Sequence, residues 1–188
     1  SAYSYIFFLA TFIINFVIVY LGIKKGIEKF CNWAMPLLFV LAIFLVVRML
    51  TLGSPDPENP NWNPINGLRY LWNPDFSKLK DAKVWLAAAG QIFFTLSVGI
   101  GVILTYASYL KKTDDVILSG LTATGTNEFA EVILGGSLVI PAAFTFLGPE
   151  KMVEVANSGV FDLGFVTMPL VLKQIPLGTL FAFMWFLL

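Results

Sequence analysis

Trp85-Leu-Ala-Ala-Ala-Gly-Gln-Ile-Phe-Phe-Thr-Leu-Ser-Val-Gly-Ile-Gly-Val-Ile-Leu-Thr-Tyr-Ala-Ser-Tyr109 lies inside an uncharged run that extends from 84 to 110. That exceeds the ~20 apolar residues a helix needs to cross a bilayer. Its centre is not that of an ordinary span. Gln91, Thr95 and Ser97 cluster there, followed by Gly99 and Gly101. Gln91 and Thr95 are four apart, so they share one helical face. The Ser-x-Gly-x-Gly stretch weakens the helix where most spans are stiffest. A break leaves free carbonyls, which are tolerated at that depth only when they line a cavity or bind something. Small residues in a span also serve as helix–helix contact points, so this stretch alone leaves both readings open.

The rest of the chain agrees with a membrane setting. Of 188 residues, 57% are hydrophobic and 13% charged, against roughly 45–50% and about 25% in a soluble domain. Residues 1–23, 30–47, 132–149 and 174–188 also lack any Asp, Glu, Lys or Arg. A soluble enzyme, a disordered chain and a nucleic-acid binder are excluded. Twelve basic residues balance twelve acidic ones, so no bulk field points to a polyanion. The lack of histidine removes histidine-based zinc sites and Ser-His-Asp chemistry, and the single cysteine, Cys31, forms no intrachain disulfide.

The expected fold is all-α, one transmembrane domain over 1–188. Spans are expected at about 3–21, 30–52, 84–110 with a central break, and 116–147, with a last one starting near 178. Residues 181–188 end inside an apolar run too short to cross, so an internal piece of a longer protein is expected. Residues 22–29 read as a short loop. The long connections 53–83 and 148–177 hold breakers, among them Gly159, Gly164, Pro169 and Pro176, and the second reads as a hairpin of two short helices. Three lysines in 22–29 and two in 110–115 give these loops the higher basic density, which predicts that they are cytoplasmic and the long connections external.

Thr122-Ala-Thr-Gly-Thr-Asn-Glu-Phe-Ala-Glu131 carries the second chemical signal. Asn127 and Glu131 are four apart and share a face. Asn127 lies ~16 Å up the helix axis from Val116, near mid-membrane. Carboxyl groups there cost about 2.5–3.5 kcal/mol even on a lenient insertion scale. Glu128 and Glu131 have no basic residue in their own span, so a cation, a proton or a basic group from elsewhere must balance them. The amide and hydroxyl oxygens of Asn127 and Thr95 suit a hard monovalent cation. A structural ion pair is the plainer alternative for both acids. Gly26-x9-Pro36 adds a place where the cytoplasmic end of the second span can unwind, or simply an ordinary helix start with a kink.

Taken together, these motifs carry a resemblance. Gly90-Gln-Ile-Phe-Phe-Thr-Leu-Ser-Val-Gly-Ile-Gly101 resembles the unwound sixth helix of the neurotransmitter:sodium symporters, and Thr126-Asn-Glu-Phe-Ala-Glu-Val-Ile-Leu-Gly-Gly-Ser137 resembles their seventh. Gly26-x9-Pro36 is similar to their fifth-helix motif, and Phe161-Asp-Leu-Gly-Phe165 to their external hairpin. In that family, discontinuous helices of an inverted-repeat fold bind ligand at the bilayer midplane. The resemblance implies that the chain holds the fourth helix through the start of the eighth. It implies a first sodium site with Thr95 and Asn127 as ligands. It also implies an amino-acid substrate whose ammonium meets carbonyls around Phe94, Thr95 and Ser97. Phe94 would be the aromatic gate and Ile100 would shape the side-chain pocket. Gly26, Pro36, Gly99 and Gly101 would be hinges.

Chloride-dependent members have serine where this chain has Glu131, so the resemblance implies a fixed carboxylate there, with Gln91 and Thr95 around it. Na+ is the implied co-transported ion, with no organic cofactor and no enzymatic activity. The bilayer and the remainder of the same transporter chain are the implied partners. A homodimer is allowed, and the location implied is a bacterial cytoplasmic membrane. The function expected is sodium-coupled symport of a neutral amino acid by alternating access. A proton-coupled carrier of the same fold, with Glu131 as the proton site, and a channel or receptor segment remain as alternatives.

Overall fold

The computed structural model describes residues 2–159 and 162–188. Phe161, the first residue of the hairpin motif quoted above, lies outside the described residues. The described residues form helices and no strand, as an all-α membrane chain requires. Helix α1 is Ala2–Tyr20 and α2 is Lys29–Leu50; α3, Pro64–Leu71, sits in the first long connection. Helix α4, Ala82–Thr95, and the short α5, Val102–Ala107, are separated by a turn. Helix α6, Val116–Glu128, passes through a π-helical turn, Phe129–Gly135, into α7, Gly136–Ser158. A second π turn, Asp162–Thr167, leads into α8, Met168–Leu172, and α9 is Gly178–Leu187. Among the described residues, three helical stretches are long and apolar enough to cross a membrane: Tyr3–Tyr20, Ile23–Leu50 and Val116–Asn157.

Two local expectations change. Residues 23–28 form a π-helical turn that runs directly into α2 instead of a loop. Gly22, with φ 74°, makes the corner, and Gly26 packs so close to α1 that a Cβ would lie 2.0 Å from the Ile18 carbonyl oxygen. In the second long connection Gly159 (φ 129°) does break the chain, but Gly164 and Pro169 do not. Pro169 sits in the first turn of α8, where a missing N–H is harmless, and the Gly164 carbonyl accepts a hydrogen bond from Trp185 Nε1 at 3.1 Å.

One block of the molecule is densely packed. The C-terminal end of α2 (Leu45, Met49), α7 (Leu138, Ala142), α8 (Met168, Val171, Leu172) and α9 (Phe181) bury a common cluster, with Arg48 of α2 stacked over the Phe181 ring at 5.6 Å. Helix α3 lies on α7 through Gly67. A Cβ there would meet Pro141 Cα at 2.6 Å, so only glycine permits this approach. Asn63 caps α3 by accepting from the Asn66 backbone N–H at 2.9 Å, and Pro64 opens it. Gly148, with φ 77° and ψ 168°, interrupts α7 and lies under the Trp62 indole ring. The helical backbone therefore turns there, and Pro149 restarts it.

The other elements are far more open. Helices α1, α4 and α5 bury no residue within the described structure, and large apolar side chains such as Phe7, Leu86 and Leu104 are well exposed. In a membrane chain such faces meet lipid or other helices.

Candidate functional site

Helix α4 starts at Asp81, whose carboxylate accepts from the Lys83 backbone N–H at 2.9 Å. It ends in a left-handed closing turn. The Val98 N–H donates to the Phe93 carbonyl at 2.9 Å and the Ser97 N–H to the Phe94 carbonyl at 3.1 Å. This is the paired pattern in which glycine usually holds the left-handed position. Here Ser97 holds it, at φ 55°. A non-glycine residue there costs on the order of 1 kcal/mol. Gly99 (φ 88°) and Gly101 (φ 81°) carry the chain to α5. The break expected from Ser-x-Gly-x-Gly thus falls at residues 96–101, directly after Thr95. The Phe94 carbonyl is engaged by this turn, whereas no backbone N–H among the described residues meets the Thr95 or Ser97 carbonyl.

The end of α4 meets the α6–α7 junction through side chains. Gln91 Nε2 donates to Glu131 Oε1, and Thr95 Oγ1 donates to Glu131 Oε2. Asn127 Nδ2 donates to Thr95 Oγ1 at 2.8 Å. Four residues picked from two separate spans, 32 to 40 positions apart in sequence, therefore form one connected polar cluster. Thr95 is its centre, because its hydroxyl gives its proton to the carboxylate and accepts from the amide. Glu131 lies in the π-helical turn, three residues after α6 ends. Such turns recur at functional positions, and this one was not foreseen. Its only sequence hint is the Gly135-Gly136 pair that closes it.

The remaining candidates are placed differently. Phe94 is 80% exposed and Ile100 is 73% exposed, so neither belongs to the cluster. Gly26 is buried against α1, and Pro36 sits within a continuous α2. Glu128 Oε1 is buried and finds no hydrogen-bond partner among the described residues. Beside Asn127, between α2 and α6, lies a cavity of about 780 Å³ lined by Met35, Leu38, Phe39, Thr122 and Thr126 among others.

Can this arrangement hold a sodium ion? Thr95 Oγ1 directs its proton to Glu131 in a hydrogen bond, which leaves its lone pairs to accept, and one takes the Asn127 amide N–H. Rotating that amide by half a turn exchanges Nδ2 for Oδ1 at nearly the same place. Two neutral oxygens would then face a common point, with an acid one helical turn away. Neutral oxygens with a nearby carboxylate suit a hard monovalent cation. A membrane-embedded helical chain with a broken span and an oxygen-lined polar cluster defines a class: an integral membrane transport protein.

The comparisons identify the family. The sodium:neurotransmitter symporter family model matches residues 5–188. An uncharacterized sodium-dependent transporter of Haemophilus influenzae is 35% identical over 187 residues, covering 99% of this chain and 37% of that protein. A Bacillus subtilis relative described in the same words is 37% identical, covering 88% of this chain and 33% of its own length. The sodium- and chloride-dependent creatine transporter 1 of rabbit is 28% identical over 90% of this chain and 26% of its own length. The chain belongs to the sodium:neurotransmitter symporter family. It spans about a third of the length of these curated relatives.

Proposed function

We propose that this chain supplies the sodium site and the helix break of a transporter that couples Na+ to uptake of a neutral amino acid by alternating access. The observation that carries this reading is the cluster Gln91–Thr95–Asn127–Glu131, built against the break at residues 96–101. In it, Thr95 Oγ1 and Asn127 Oδ1 hold the ion. The Thr95 and Ser97 carbonyls face the substrate ammonium. Phe94 covers the substrate, and Ile100, aliphatic and β-branched, favours an apolar side chain. Glu131 is the fixed anion of the site. Two unit charges ~6 Å apart interact by roughly 3 kcal/mol at an effective dielectric near 20, enough to change sodium affinity about a hundredfold.

The proton-coupled alternative places a proton on Glu131. Against that alternative, both Glu131 oxygens already accept, one from the Gln91 amide N–H and one from the Thr95 hydroxyl. In the full transporter chain, Asn127→Leu should abolish sodium-stimulated amino-acid uptake while leaving membrane insertion intact. Uptake that keeps its sodium dependence in this variant would remove the site.

A further inference from the structure

A second polar pocket lies where α3 meets α7, lined by none of the four residues of the sodium cluster. Its volume is about 610 Å³, and it is lined by Asn66, Arg69, Tyr70, Trp72, Asn73 and Phe144. No Asp or Glu lines it. The lining is rich in donors: a guanidinium with five N–H groups, two amides, an indole N–H and a phenol.

Most of these donors are uncommitted. Trp85 and Trp185 spend their indole N–H on the Leu79 and Gly164 carbonyls, at 2.8 and 3.1 Å. The Trp72 indole N–H meets no acceptor among the described residues. Arg69 reaches only the Asn66 Oδ1, at a long 3.4 Å, and Asn66 is held in turn by donating to the Asn61 carbonyl at 2.9 Å. The positive charge of Arg69 therefore faces the pocket without a carboxylate on its walls.

Depth narrows the ligand. Phe144 lies ~40 Å of helix beyond Val116, past the ~30 Å hydrocarbon core, so the pocket sits toward the end of the crossing stretch Val116–Asn157. Tyr70 packs its ring on Phe144 with centroids 6.2 Å apart, while Tyr70 and Trp72 stay half exposed. Amphipathic rings of this kind settle at the level of lipid headgroups. An unpaired guanidinium among neutral donors at that level matches the planar, bidentate demand of a phosphate.

We propose that this pocket binds a phosphate group, carried by an anionic phospholipid. The same chemistry would accept free phosphate, and the two sources are separable. Binding of dioleoylphosphatidylglycerol to the detergent-purified full transporter, measured by native mass spectrometry, should weaken about tenfold in Arg69→Gln, the loss expected for one charge-assisted hydrogen-bonded pair. Trp72→Phe, which keeps a ring and loses the N–H, should weaken it two- to threefold on the same basis. Lys80→Gln, a charge change outside the pocket, should leave it unchanged. Thermal unfolding of all three should match the wild type, since Arg69, Trp72 and Lys80 are exposed. In a second arm inorganic phosphate is titrated alone. Arg69-dependent phosphate binding without Arg69-dependent lipid binding would keep the pocket and assign it to a soluble phosphate. Equal affinities of wild type, Arg69→Gln and Trp72→Phe for both probes would overturn the proposal.

Discussion

The block formed by α3, α7, α8, α9 and the C-terminal end of α2 differs in kind from the seam between α4 and the α6–α7 junction. The first is built from buried side chains and close backbone approaches, such as Met49, Met168 and Gly67. The second consists of three side-chain hydrogen bonds between otherwise open helices. In lipid there is little hydrophobic drive between helices, so packing contacts and interhelical hydrogen bonds share the work. The division teaches where each kind of mutation should register. Changes in the block should cost stability, and changes in the seam should cost ion affinity.

Three substitutions and one titration press on that division, from the largest effect down. Met49→Ala opens a cavity in the block and should cost about 2–5 kcal/mol, read as thermal unfolding in detergent, with sodium affinity unmoved. Gly67→Ala forces α3 off Pro141 and should cost about 1–3 kcal/mol in the same assay. Gln91→Leu removes one of the two donors to Glu131. Sodium affinity should fall about tenfold, as for a lost hydrogen bond to a charged group, while the unfolding temperature stays put. A shifted unfolding temperature with unchanged sodium affinity in Gln91→Leu would erase the distinction between the regions.

The smallest effect lies outside both. The Asn59 side chain, followed by the Glu58 N–H, holds the Asp56 carboxyl below the usual carboxylate range. The Ser77 hydroxyl, followed by its N–H, does the same for Asp75. Asp75 is exposed and Asp56 partly so, and each has a folded value below its unfolded one. Their contribution is therefore complete above the ordinary carboxylate pKa and fades as pH falls through the lowered value. Asp56→Asn and Asp75→Asn should slightly lower stability at neutral pH, leave it unchanged below the lowered values, and so flatten the acid limb of an unfolding-versus-pH curve.

Much of this arrangement was legible in the residues, for physical reasons. Uncharged runs report the membrane because lipid excludes charge. The break after Thr95 was readable because serine and two glycines in alternation cannot hold a stiff helix. The pairs Gln91/Thr95 and Asn127/Glu131 were readable because a spacing of four puts side chains on one face. Their meeting was suggested by family resemblance, since spacing within one helix says nothing of its neighbour. The π turn at Glu131 escaped because inserting one residue per turn leaves no periodic signature over seven positions. The α3–α7 contact escaped because Gly67 looks like any loop glycine until Pro141 is placed against it. Gly164 and Pro169 misled because a proline in a helix's first turn has the composition of a breaker and the effect of a start.

Glu131 bears the account's central claim, that a fixed carboxylate takes the place of a mobile anion beside the ion. Substrate uptake by the full transporter should be measured in chloride and in gluconate, for wild type and Glu131→Ser side by side. Wild-type uptake should be equal in the two buffers, and the mutant should be inactive in gluconate and restored by chloride. A mutant that stays inactive in both buffers, although inserted and folded, would contradict it, and Glu131 would then be one half of a structural pair.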